Sequence, residues 1–301
     1  MRLHDDARKT VVFFGLRTKD GAGNSVLRFG GTGFFVAFPA APDPSSARFP
    51  YLVTAGHVAK ALSGPFVIGI NNTDGSLDPF DVDEGRWVYH PDYPSVDLAV
   101  LRLGLSGTDH AHIPYEWFAD NEGNALLSRF GTGDLVYIVG LYRLFPGSAK
   151  ISPIVHTGHV GMAPDEEIPV MDRLTKTLTK MRGYLIEAQT LEGLSGSPVF
   201  VRYTNPTGIS SGLGRVVGYI DNGFLLGVWQ GAWEGVADDF LGEQVGQGAR
   251  VPVGMGITIP ARRITEILQL PEFAQERSDW IKQQQELVAA TTDQSSGNGS
   301  T

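Results

Sequence analysis

The chain has no cysteine among its 301 residues. That excludes a disulfide framework, a thiolate nucleophile and cysteine-based zinc sites, and it fits a reducing compartment. No apolar run approaches the ~18 residues that a membrane-spanning helix needs. Charged residues make up only 19 % of the chain, and the balance is acidic, with a net charge of −9. A basic nucleic-acid footprint is therefore disfavoured. With 42 % hydrophobic residues the chain is too apolar for disorder. The N-terminal stretch MRLHDDARKTVVFFGL has charges before only a short apolar segment, which does not match a secretory signal. We expect a globular, cytoplasmic protein.

Glycine, by contrast, is abundant at 38 residues, above the ~7 % average usage. With ordinary hydrophobic content, that implies many turns between short strands. Strands are expected over 10–16, 32–38, 50–54, 65–70, 85–89 and 96–103. A less regular stretch, 104–130, contains the crossing between two units. A second strand series follows at 135–140, 154–160, 183–188, 197–202, 215–220, 224–229 and 253–259. After Pro260 the period changes: Ile264, Ile267 and Leu268 fall at helical spacing, and a second helix follows Pro271.

Three segments carry chemistry as a set. Thr54-Ala55-Gly56-His57 follows an apolar strand, Val96-Asp97-Leu98-Ala99-Val100-Leu101 forms another, and Gly193-Leu194-Ser195-Gly196-Ser197-Pro198 is a glycine-rich turn. Serine, histidine and aspartate from separate elements suit a nucleophile, a base and an orienting carboxylate. In order and motif they resemble the chymotrypsin/trypsin-like serine peptidases. Gly31-Thr32-Gly33-Phe34 and Gly227-Val228-Trp229-Gln230-Gly231 add to the likeness. Val253–Pro260 is similar to the last barrel strand of bacterial relatives such as the HtrA-like protease domain, here without a PDZ segment.

The resemblance implies an all-β fold of two antiparallel six-stranded β-barrels followed by C-terminal helices. Residues 1–115 would form the first barrel, with His57 and Asp97. Residues 116–262 would form the second, with Ser195 and the specificity pocket. Helices over 263–290 would pack on the second barrel, and a disordered tail would occupy 291–301. The function implied is a serine endopeptidase acting through an acyl-enzyme, with Gly193 and Ser195 supplying the oxyanion hole. No cofactor and no metal are implied, and the partner is a protein or peptide substrate.

Two departures are legible. Leu194 stands where trypsin-like zymogens carry an aspartate, so no zymogen activation is expected. Val228 replaces a serine that hydrogen-bonds the triad aspartate in many relatives. By counting back from Ser195, the pocket floor falls near Gln189, with Thr190 beside it and Val228, Trp229 and Gln230 as walls. No aspartate is there, so cleavage after Lys or Arg is not implied. The acidic stretch 232–249 falls near the pocket rim, and we read it as a solvated loop. His110/His112 and His156/His159 are better explained by a polar loop and a strand than by metal ligation. The alternative is a catalytically silent or partner-gated trypsin-fold protein that binds peptide segments, with a regulatory partner protein in the gated case.

Overall fold

Runs such as Val11-Val12-Phe13-Phe14 and Tyr51-Leu52-Val53 are apolar without alternation, which marks strands covered on both faces. The computed structural model describes residues 3–41, 46–120, 130–172, 175, 177–189, 191–202, 223–236 and 250–297. In its N-terminal half the strands are β1 (Val11–Lys19), β2 (Ser25–Pro39), β3 (Arg48–Ala55), β4 (Phe66–Asn71), β5 (Leu77–Val82), β6 (Val88–Tyr89), β7 (Leu98–Arg102) and β8 (Ile113–Pro114). Two short helices, α1 (Asp6–Lys9) and α2 (Gly56–Ala61), accompany them. The C-terminal half has β9 (Leu135–Gly140), β10 (Ile154–Met162), β11 (Glu167–Met171), β12 (Leu178–Arg182), β13 (Tyr184–Glu187), β14 (Pro198–Val201), β15 (Phe224–Val236) and β16 (Arg250–Pro260). It ends in α3 (Arg262–Leu268) and α4 (Pro271–Gly297).

The second half closes into a six-stranded barrel in the order β10-β13-β16-β15-β14-β9, with β11–β12 as a separate hairpin. Period-two residues Val136/Ile138 and Val199/Val201 point into it with Ile186, Leu226 and Trp229. The first half is an eight-stranded sheet ordered β5-β4-β1-β2-β3-β7-β6, with β8 pairing parallel to β2. Its ladder stays open, unlike the closed six-stranded barrel expected there. The edges explain this: β6 is only two residues long, and β5 has Pro79 and two aspartates on an exposed strand. The fold is nonetheless dominated by β-strands, two packed β-units with helices at the end of the chain.

One face of the first sheet packs Val12, Phe14, Phe35, Leu52 and Leu101 against Val58 and Leu62 of the α2 region. The other face, with Phe34, Tyr51, Val53, Leu98 and Val100, joins the barrel's outer residues Val139, Phe200, Val228 and Ile259 in one continuous core. The two halves therefore share a core.

The helices differ from expectation in two ways. α4 covers the first sheet, not the second barrel: Phe273 meets Tyr51 edge-on at 5.2 Å, and Trp280 meets Phe49 at 5.3 Å. Buried Arg277 donates to Tyr51 Oη at 3.0 Å and to Leu268 O at 2.8 Å. The aromatic face of β2 and β3 needs that cover, since Phe38, Phe49 and Tyr51 would otherwise be left open to solvent. The helix also runs past residue 290 to Gly297, because no proline or glycine interrupts 272–296.

Candidate active site

β3 and β7 are hydrogen-bonded neighbours, with Ala55 opposite Leu98. His57, two residues past the end of β3, and Asp97, one residue before β7, are consequently delivered side by side. Asp97 uses both oxygens: Oδ1 accepts the His57 backbone N–H at 2.7 Å, and Oδ2 lies 2.6 Å from His57 Nδ1. The side chains are 14 % and 8 % exposed. This network assigns the proton to Nδ1, which leaves Nε2 as the basic nitrogen. Gly56 N–H donates to Asp97 O at 2.9 Å, and a Cβ on Gly56 would come within 2.8 Å of Asp97 Oδ1. Glycine is needed at 56 for this approach.

Aromatic side chains shelter the carboxylate. Lys60 lies 4.8 Å from the Tyr89 ring centroid and 5.5 Å from that of Tyr93. Burial, then the Asp97 charge, pushes the Tyr93 phenol up to about 12, so it stays neutral. The loop before Asp97 is anchored from behind. His90 Nδ1 accepts the Asp92 N–H at 3.0 Å, so Nε2 carries the proton and donates to Glu266 of α3 at 2.8 Å. Burial lowers the His90 pKa against the opposing pull of Glu266.

Ser195 sits in a turn made possible by Gly193 (φ 99°) and Gly196 (φ 87°). Two carbonyls of this turn are engaged within the protein. Glu192 O accepts Arg143 N–H at 3.1 Å, and Leu194 O accepts Ser197 N–H at 2.9 Å. In a trans peptide the next N–H points the opposite way. Gly193 and Ser195 N–H are thus aimed out of the turn, and neither meets an acceptor among the described residues. Two such donors in one turn suit a developing oxyanion. Thr32 fixes the turn from the first sheet. Its Oγ1 donates to Gly193 O at 2.7 Å and accepts Leu141 N–H at 3.0 Å, and its N–H donates to Ser195 O at 3.0 Å.

His57, Gly193 and Ser195 line one cavity of about 550 Å³ between the halves. Ser195 Oγ donates to Gln230 O at 3.2 Å; it makes no hydrogen bond to His57 among the described residues. Trp229 is buried and lines the cavity, whereas Val228 lies in the core shared by both halves. Gln230 is buried and contributes its carbonyl. Gln189 lies exposed beyond the end of β13, away from the residues that line this cavity. Thr190, the expected strand 215–220 and the acidic residues over 237–249 lie outside the described residues. Thr32, Arg28, Arg143 and Glu192 were not singled out from the sequence as site residues. Only the Gly31-Thr32-Gly33 motif gave a signal.

An open sheet packed on a closed barrel thus brings a histidine and an aspartate from one and a serine from the other to the cavity between them. No known protein family and no curated protein matches the chain. Among solved structures it is similar to two of Rv3671c, both in an inactive form and both at 20 % identity. One, from M. tuberculosis H37Rv, has a serine replaced by alanine; the likeness covers 87 % of each chain at a TM-score of 0.43. The other is of the Rv3671c protease, over 87 % of this chain and 88 % of that one, at a TM-score of 0.41.

Proposed function

We propose that the chain is a serine endopeptidase that needs no cofactor and no zymogen cleavage. Ser195 Oγ attacks the scissile carbonyl carbon while its proton passes to His57 Nε2. The oxyanion forms against the N–H groups of Gly193 and Ser195. The C–N bond then breaks as the imidazolium gives its proton to the departing amine, leaving an acyl-enzyme. Water, deprotonated by the same nitrogen, releases the acid and restores the serine. Asp97 keeps Nδ1 protonated and stabilises the imidazolium throughout.

The observation that carries this reading is the double grip of Asp97 on the His57 backbone and ring, in the same cavity as Ser195 and two free amides. Peptide-hydrolysis kinetics test it. Ser195→Ala and His57→Ala should each lower kcat by about 10⁶, the scale known for removal of such a triad. A loss below tenfold in either would remove that residue from the chemistry.

One observation favours a second reading, a site engaged only when substrate or a partner binds. Ser195 Oγ is committed to Gln230 O and not to His57. Progress curves that show a lag, abolished by preincubation with a non-hydrolysable peptide, would support gating over constitutive activity.

A further inference from the structure

We propose that the His57 side of the cavity is a subsite for the leaving-group half of the substrate, shaped for an apolar residue with a carboxylate beyond it, and that Arg28 receives that carboxylate. This rests on the endopeptidase reading above. Its direction follows from the chemistry. His57 Nε2 must reach the departing amine, so the chain that leaves with that amine runs along the residues next to His57.

Those residues give that side of the cavity an apolar lining. Val58 and Leu62, from α2 and its C-terminal end, and Phe14 of β1 supply buried apolar walls, and half-open Leu16 extends them toward the mouth. The β1–β2 ladder shifts register between Phe14 and Gly15, where Gly15 pairs with Phe29 and Phe14 with Gly31. Gly30 is thereby left without an opposite residue, and Gly30 and Gly31 both line the cavity. Gly31 lets β2 approach α2 closely, since a Cβ there would come within 2.7 Å of Val58 Cγ1.

Charge at the mouth is lopsided. The cavity wall includes Arg28, Arg143 and Glu192, and Arg143 is ion-paired with Glu192. Arg17, on β1 near Arg28, is satisfied by a two-pronged bond to Asp81 at 2.9 and 2.7 Å. Arg28 is exposed and has no carboxylate partner among the described residues. An unpaired guanidinium at the edge of an apolar lining, in a chain of net charge −9, matches a carboxylate on the ligand. The occupant is a peptide segment with Asp or Glu, or its own C-terminal carboxylate, one to three residues past the cut.

The test is the cleavage of a peptide pool varied over the three positions after the scissile bond, followed by kcat/KM for matched Asp and Asn peptides. The wild type should favour Asp over Asn about tenfold, and the preference should shrink in 0.5 M salt. Arg28→Gln should bring the ratio to about one, Arg28→Lys should keep part of it, and Arg28→Glu should favour Lys peptides. Circular dichroism of each variant checks that it is folded. An Asp/Asn ratio that survives in Arg28→Gln would overturn the subsite and leave the endopeptidase reading intact. Failure of the wild type to cleave any pool member, with no reactivity at Ser195, would overturn the endopeptidase reading and the subsite with it.

Discussion

A methyl group on Gly56 would sit 2.7 Å from the Tyr93 ring and 2.8 Å from Asp97 Oδ1, so Gly56→Ala must push the carboxylate off the imidazole or move Tyr93. Overpacking of this kind costs about 1–3 kcal/mol. We expect kcat to fall at least tenfold while the fold persists, read by peptide hydrolysis beside circular dichroism. Unchanged kcat would mean that the Asp97–His57 geometry tolerates the shift. Thr32→Val keeps the shape but strands Gly193 O and Leu141 N–H, both engaged by the hydroxyl. Leaving buried groups unmade costs about 1–3 kcal/mol each. The denaturation midpoint and the reactivity of Ser195 should drop together.

His112 gives a pH signature at the same scale. Its ring lies against Phe35 and His110, its Nε2 is buried without a partner among the described residues, and burial lowers its pKa to about 4. The unfolded chain takes up this proton near the ordinary histidine value of 6.5, before the folded one does. Its contribution is therefore present above pH 6.5 and is lost as pH falls from there toward 4. With the partial exposure of the ring discounted, the loss is about 1–2 kcal/mol. Melting temperatures of the wild type and His112→Phe should converge at pH 7 and separate at pH 4.5, with the variant higher. An equal acid sensitivity in both would assign the loss to another group.

Among the elements, α4 is held by one buried cation. Arg277 bonds Tyr51 Oη and Leu268 O, and its guanidinium lies 4.9 Å from the Phe38 ring centroid. Arg277→Ala removes both bonds and the stacking, and should cost about 2–4 kcal/mol, measured by chemical denaturation. A change under 0.5 kcal/mol would mean that α4 is docked by Phe273 and Trp280 alone. This docking was not legible in the sequence, because an amphipathic helix records that it has an apolar face and not which sheet it covers. Strands with dense apolar runs, such as β1, β3, β4, β7, β9 and β14, were legible within a residue or three. β5 was hidden by Leu77-Asp78-Pro79-Phe80-Asp81-Val82, whose proline and aspartates suit an exposed edge. The β11–β12 hairpin was hidden because Pro169 interrupts a five-residue strand that buries only Ile168 and Val170 on one side. His57 and Asp97 could be paired from short motifs because each is adjacent to a strand end. Gln189 falls after β13, in a stretch whose course no periodicity sets, so counting from Ser195 gives it no structural anchor.

At the scale of the whole molecule, the core that joins Phe34, Tyr51 and Leu98 to Phe200, Val228 and Ile259 crosses between the halves, and Thr32 ties the serine turn to the first sheet. The two halves should unfold together, with near-UV and far-UV signals tracing one transition. Two separated transitions would mean that the shared core is not the coupling element. If this joint assembles an activated serine, as proposed above, a fluorophosphonate probe will react with the purified chain at Ser195. Labelling should be seen in the wild type, absent in Ser195→Ala and strongly slowed in His57→Ala. A folded wild type that takes no label, with or without a peptide ligand present, would contradict the proposal.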